Sequence, residues 1–469
     1  MNYLYKLTIE ESLAGLKKKD FSSLELTQSC LERINEKDTK TKAFVTLNEH
    51  SLEQAKKADE EISKNNNVFL EKKLIGIPLA IKDNFLTTGI RTTASSKVLE
   101  DYVPSYDATV VLKLKNAGAI LIGKTNMDAW AHGSSTETSQ FFTTHNPWNL
   151  NLLPGGSSGG SAAATAADLA IGAIGSETAG SIRQPASWCG VTGLKPSYGV
   201  VSRFGVIAMA SSTDSPGPIT KTVIDSQIIF ESILGKDSLD ATSVDFTINK
   251  IDGPKKLTIG IPKEYFFAGL QDETKVAVQN AIKIFEKQGI EVKEISLLDP
   301  TYSIAVYTIL QRAEVSSNLA RYDGIRYGNA RSFFGAEAKR RIMLGTYVLS
   351  AGYFDAYYLN AQKVRTLICE DFDKAFSQVD LIIAPTTPCT ALPEGSTKDS
   401  FMFGELQDVL VEASSLAGLP GLSLPCGFDK ENMPIGMQII GPRFSELVIL
   451  ALGEKYQVLT DWHTRKPTL

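Results

Sequence analysis

Short apolar runs alternate with amphipathic segments along most of this chain, and that alternation constrains the fold more than any other feature. "LIGIPLAIKDN" (74–84) is a short apolar run suited to a buried strand, and it ends at Lys82. "DATVVLKLKNAGAILIGKTN" (107–126) reads as a helix, a glycine stop at Gly118 and a strand. Between 257 and 297 the order is strand ("LTIGIP"), helix (capped at Asp272, stopped at Gly289) and strand ("IEVKEISL"). Further strands are expected at "VDLIIAP" and "IGMQII", and a helical pattern rich in Tyr and Arg fills 300–375. The first 65 residues read helical, with capping boxes at Thr8/Glu11 and Ser22/Glu25. The polar stretch 236–254 is the linker candidate. Strands alternating with helices predict an α/β architecture with helices on both faces of a sheet.

The bulk numbers exclude several classes of function. A net charge of −5 gives no basic footprint for holding nucleic acid. The first twenty residues lack the apolar segment of a signal peptide, and no window has the uncharged apolar length of a membrane span. The five cysteines form no C-x-x-C pair and read as reduced thiols, so a cytoplasmic protein is expected. The four histidines have no zinc-ligand spacing, so no metal is expected and a catalytic base has to be sought elsewhere.

"GAILIGKT" (118–125) satisfies the P-loop pattern, but its four middle residues are strand material and the helix precedes them. A phosphate cradle needs the reverse order, strand then loop then helix, so nucleotide binding is not expected there.

Two glycine-serine stretches lie close together, "PGGSSGGSAAATAA" (154–167) and "GSETAGSIRQPAS" (175–187). Glycine-rich turns opening helices expose backbone N–H groups that can hold a phosphate or stabilise an oxyanion. The P-loop lysine is missing from the first stretch, and the recurring serines favour a nucleophile surrounded by donors. On residues alone, a pair of tight turns with serine caps is an equal alternative. A serine needs a base, and Lys82 is one candidate, because burial at a strand end would lower its pKa. To act near pH 7 it must fall by roughly 3 units, about 4 kcal/mol of differential solvation. The alternative is a lysine that snorkels from the strand end.

Together, "GGSSGGSAAA", "GSETAGSIRQPASWCGVTGLKPSYG" and the upstream "IPLAIKDN" resemble the amidase signature family over nearly the whole chain. The resemblance implies one large α/β/α domain with a mixed central sheet covered on both faces. It implies a helical segment over 1–65 packed on an amidase signature domain over 66–469, with a catalytic core at about 70–235. It also implies a triad of Lys82 as base, Ser157 in a cis peptide as proton relay and Ser181 as nucleophile, the two serines lying 24 residues apart. The backbone N–H groups of Glu177, Thr178, Ala179 and Gly180 would form the oxyanion hole. Glu177 and Ala179 depart from the family's usual G-[ST]-D-x-G-G-S.

"VSRFGVIAMASSTDSPGPIT", "SSNLARYDGIRYG", "KRRIMLGTYVLSAGYFDAYYLNAQKVRTLI" and "SLAGLPGLSLPCG" are similar to the glutaminase subunits of tRNA-dependent amidotransferases. That narrower resemblance implies hydrolysis of glutamine, with ammonia passed to a B subunit that uses ATP and Mg on Glu-tRNA(Gln) or Asp-tRNA(Asn), and a C subunit bracing the pair. It implies no cofactor in this chain, tRNA contact mainly through the B subunit, and a glutamine-specificity helical region at about 300–375. Arg365 is the candidate for the glutamine carboxylate and Asp408 for its ammonium; the alternatives are a surface helix arginine and a solvated acid. "RYGNARSFFGAEAKRR" offers no substrate-contacting tyrosine, which leaves one wall of the pocket unassigned. The competing functions are a stand-alone amidase for a small amide and a non-catalytic scaffold on the same fold.

Overall fold

The structure, a computed structural model, describes residues 3–65, 67–246, 257–398, 400 and 402–469. Of the linker candidate, residues 247–254 lie outside the described residues. Eleven strands form one sheet: β1 (Phe44–Leu47), β2 (Pro78–Lys82), β3 (Ile120–Thr125), β4 (Gly172–Glu177), β5 (Thr192–Lys195), β6 (Ser215–Thr220), β7 (Thr258–Pro262), β8 (Glu291–Ile295), β9 (Leu381–Pro385), β10 (Gly421–Phe428) and β11 (Pro434–Ile440). Their order is β1-β3-β2-β4-β6-β5-β10-β11-β9-β7-β8. The sheet is mixed. β2 runs parallel to both β3 and β4, β7 is parallel to β8 and β9, and the other pairs are antiparallel.

Both faces of the sheet are covered, as the alternation along β9 shows. Leu381 and Ile383 join one apolar cluster, whereas Ile382 and Ala384 join another. Successive side chains of a strand point to opposite faces, so the two clusters lie on opposite sides.

The expected strands at 74–84, 107–126, 257–297, 379–385 and 435–440 all form, and both capping boxes close through side-chain and backbone bonds. The helix expected to be capped by Asp272 instead starts there, behind Gln271. β1 interrupts the segment read as helical and pairs with β3, adding that stretch of chain to the sheet edge. Its four residues are too few to outweigh the helical pattern around them. "GAILIGKT" builds β3 behind a helix, and the buried Lys124 donates to Phe85 O and Thr92 Oγ1.

Two parallel neighbours, β2 and β4, end on the same edge of the sheet. Lys82 and Glu177, the last residues of the two strands, therefore both lie at their carboxyl ends, where open α/β sheets build their sites. Behind them the helix Gly159–Ala166 is buried along its whole length. Its glycines and alanines let it approach closely: a Cβ at Gly160 would fall inside contact distance of Asn126 O, Asn126 N and Ala43 O. The neighbours of Gly160 are backbone atoms that cannot swing aside. Gly160→Ala should therefore destabilise the fold by about 1–3 kcal/mol. An unchanged denaturant midpoint would contradict this packing.

Candidate active site

Lys82 is fully buried and its ammonium makes three hydrogen bonds. It donates to Ser157 Oγ at 2.8 Å, Ser176 Oγ at 3.0 Å and Ser176 O at 3.0 Å. Burial pulls its pKa down from 10.5 to about 7, against the opposing pull of Asp128, Asp214 and Glu177. That shift corresponds to roughly 5 kcal/mol of preference for the neutral amine. Lys124 and Lys195 are as buried, but neither reaches Ser157 or Ser181; Lys195 donates to Pro196 O.

Ser157 follows a cis peptide bond, Gly156–Ser157. The two glycine-serine turns are laced together: Ser158 N donates to Ser181 O at 3.2 Å, and Gly156 N to Gln184 Oε1 at 2.8 Å. Ser181 is 4% exposed, enough for its hydroxyl to meet a ligand. Among the described residues its Oγ has no hydrogen-bond partner. The structure thus joins Lys82 to Ser157 directly and joins Ser157's loop to Ser181's loop through backbone.

The turn from Glu177 to Gly180 is held by an internal clamp. Glu177 Oε2 accepts the N–H of Ile182 at 3.0 Å and of Arg183 at 2.9 Å, satisfying donors at the start of the helix Arg183–Cys189. Its Oε1 pairs with Arg183 Nε at 2.8 Å and Nη2 at 2.6 Å, both side chains fully buried. Arg183 reaches on to Ser414, Gln438, Val411 O and Ser415. Glutamate at 177 performs this service with its own reach, and Ala179 fits at 1% exposure. No acceptor among the described residues takes the N–H groups of Thr178, Ala179, Gly180 or Ser181. Successive unpaired donors in a fixed turn are the material of an oxyanion hole.

Asp408 lies in the helix Phe403–Leu416, buried rather than solvated. Ser134 Oγ donates to its Oδ2 at 2.9 Å, while the buried Oδ1 has no partner. A Cβ at Gly180 would overlap that Oδ1, so the free oxygen faces the catalytic turn. Burial, with Glu177 and Glu405 nearby, raises its pKa well above the carboxylate range. A cation brought against Oδ1 would reverse that shift.

Arg365 lies in the helix Asn360–Phe376, tied to protein acceptors. Its Nε donates to Leu416 O at 2.8 Å, its Nη1 to Ser212 Oγ at 3.0 Å and its Nη2 to Ser212 O at 3.0 Å. Three of its five N–H groups are spent on protein acceptors and brace two segments, which leaves one N–H on each terminal nitrogen.

Around Asp408 lies a buried polar group that sequence reasoning missed. Arg312 pairs with Glu405 at 2.6 Å, Arg341 pairs with Glu337 at 2.5 Å, and Glu412 is raised by burial and by Asp408. Glu405, Asp408 and Glu412 recur at helical spacing, a signal hidden because carboxylates on one helix face normally mark the wet side. A separate cavity of about 800 Å³, lined by Tyr102, Arg203, Tyr322 and Arg326, touches the site only through Asp214.

Removing the charge of Glu177 would strand the buried Arg183 guanidinium. Glu177→Gln should cost about 3–5 kcal/mol in denaturant unfolding. A loss below about 1 kcal/mol would show that the clamp carries no such weight.

The chain matches the family described as Amidase over residues 25–450. It is 49% identical to the A subunit of a glutamyl-tRNA(Gln) amidotransferase from a Roseiflexus species, covering 100% of this chain and 99% of that one. With the protein of the same name from Halothermothrix orenii it shares 50%, covering 99% and 100%. The crystal structure of the corresponding protein from Thermotoga maritima superposes with a TM-score of 0.80 at 42% identity, over 95% of this chain and 93% of the other. A peptide amidase from Stenotrophomonas maltophilia gives 0.81 at 27% identity, over 97% and 96%. The family match, the superposable fold and near-half identity along full lengths lead to one conclusion: the chain belongs to the amidase family, on the branch of the glutamyl-tRNA(Gln) amidotransferase A subunits.

Proposed function

We infer that this chain is the glutaminase subunit of a tRNA-dependent amidotransferase, with Lys82, Ser157 and Ser181 as its catalytic residues. The observation that carries the reading is the 2.8 Å hydrogen bond from a fully buried lysine, held near neutrality, to a serine on the turn beside Ser181. Ser181 Oγ attacks the side-chain amide carbon of glutamine. Its proton passes to Ser157 Oγ, whose own proton passes to neutral Lys82, since a hydroxyl donates and accepts at once. The N–H groups from Thr178 to Gly180 receive the oxyanion. The proton returns through Ser157 to the leaving nitrogen and ammonia departs, leaving a glutamyl ester on Ser181 for water to cleave.

Asp408 suits the α-ammonium of glutamine, because an unpartnered buried carboxylate oxygen beside the reacting turn gains most from a cation. The ammonia is used elsewhere, by a B subunit that activates Glu-tRNA(Gln) with ATP and Mg, with a C subunit bracing the complex. Asp-tRNA(Asn) is a second acceptor of the same chemistry. No helix among the described residues is long and apolar enough to cross a membrane, in keeping with work in the cytoplasm on a tRNA substrate.

The test is glutamine hydrolysis by the chain alone and with the B and C subunits and charged tRNA. Lys82 must be neutral to act as base, and it is protonated below its pKa of about 7. kcat/KM should therefore rise about tenfold per pH unit below about 7 and level off above it. Lys82→Arg stays charged throughout and should lose at least about 10³-fold at every pH. A flat profile, or a Lys82→Arg variant with substantial activity, would remove Lys82 from the role of base.

A further inference from the structure

The loop 209–214 takes no part in the chemistry above, yet it is bonded both to the catalytic turn and to the helical block. Asp214 is 6% exposed. Its Oδ1 accepts Thr178 Oγ1 at 2.7 Å and Ala210 N at 3.2 Å, and its Oδ2 accepts Met209 N at 2.9 Å. Thr178 is the first residue of the oxyanion turn beyond β4, so this carboxylate grips the turn by a side chain that the Glu177–Arg183 clamp leaves free.

The other side of the loop is held by the helical block. Ser212 N and Oγ donate to Glu314 at 2.9 and 2.6 Å, and Asn318 Nδ2 donates to Met209 O at 3.1 Å; both come from the helix Thr301–Leu319. Arg365, in the helix Asn360–Phe376, takes Ser212 Oγ and O while its Nε holds Leu416 O. Leu416 is the last residue of the helix that carries Asp408. Two helices therefore bond one loop, a third joins them through Arg365, and the loop's end residue is bonded to the catalytic turn.

We propose that Asp214 is a positioning residue for amide hydrolysis, fixing Thr178 and the oxyanion turn, and that Arg365 transmits the placement of the helical block to that turn through Ser212. Such a device acts in the transition state, because the turn's N–H groups matter most once the carbonyl oxygen carries charge. It gives the 300–375 region a mechanical line to the nucleophile's surroundings, distinct from any contact with substrate.

The inference rests on the glutaminase reading, so its test includes a readout that needs no glutamine: the rate at which a fluorophosphonate labels Ser181. In the complete complex, Asp214→Asn should lower kcat for glutamine about 10- to 100-fold with KM changed less than about 3-fold, and labelling should slow in parallel. Thr178→Val should fall at least about tenfold below Thr178→Ser, which keeps the hydroxyl. Adding Asp214→Asn to Thr178→Val should cost less than about 2-fold more, as expected of two residues acting through one bond. Arg365→Met should reduce kcat for glutamine and the labelling rate together. Multiplying losses in the double variant, equal activity of the two Thr178 variants, or an Arg365→Met defect confined to the glutamine KM would overturn the proposal. Absence of glutamine hydrolysis with normal labelling would instead count against the substrate, and the labelling rates alone would then decide between the same outcomes. Thermal unfolding of each variant separates a lost fold from a lost turn, and if Asp214→Asn does not fold, the comparison of Thr178→Val with Thr178→Ser decides the matter.

Discussion

Everything in this site depends on keeping one ammonium group dry. Lys82 would hold its proton at pH 7 anywhere near water, and a protonated lysine cannot relieve a serine of its own. The fold enforces the dryness through small residues. The alanine helix packs close behind the turns, β4 runs beside β2, and Ser176 supplies two of the three oxygens around the amine. Those oxygens bond the nitrogen without offering it a negative charge, and the nearby carboxylates are raised by burial themselves, Asp128 and Asp214 among them. A full carboxylate partner would have restored the proton, so hydroxyls and a carbonyl are the acceptors that suit the chemistry.

The second requirement is a turn that stays open at its N–H groups while surrounded by polar atoms eager to bond them. Glu177 turns inward to Arg183 and to the N–H groups of Ile182 and Arg183, which leaves the donors from Thr178 to Ser181 unpaired. Asp214 takes the hydroxyl of Thr178 and not its N–H. Glycine at 180 gives Asp408 room to come close. Rigidity here is built from one charge pair and its hydrogen bonds, spread over β4, the helix Arg183–Cys189 and the helix Phe403–Leu416, so the turn inherits its shape from a large part of the molecule.

Part of this was legible in the residues. A short apolar run ending in lysine put Lys82 at a strand end, and two glycine-serine stretches read as neighbouring turns, while the choice of Ser157 and Ser181 among their serines came from the resemblance to the amidase signature family. β6 was not legible. "SPGPIT" holds two prolines, which argue against a central strand. It forms because β5 pairs with it only at Ile219 and Thr220, so Pro216 and Pro218 face no donor requirement on that side. The bracing by Arg365 was hidden for a related reason: the chain brings Ser212 and Leu416 to it from 153 and 51 residues away. The burial of Glu405, Asp408 and Glu412 was hidden because their partners, Arg312, Ser134 and Ser303, are also remote in the chain. What the residues could not declare is what long-range pairing decides.

The central claim is that Ser181 carries the acyl group, and it can be examined without any variant. The complete chain is quenched in acid during glutamine turnover, digested and read by mass spectrometry. The account predicts a glutamyl ester on the peptide containing Ser181 and on no other, appearing within one turnover and vanishing as glutamine is exhausted. The same mass on a peptide bearing Ser157 or one of the five cysteines, with Ser181 unmodified, would contradict it.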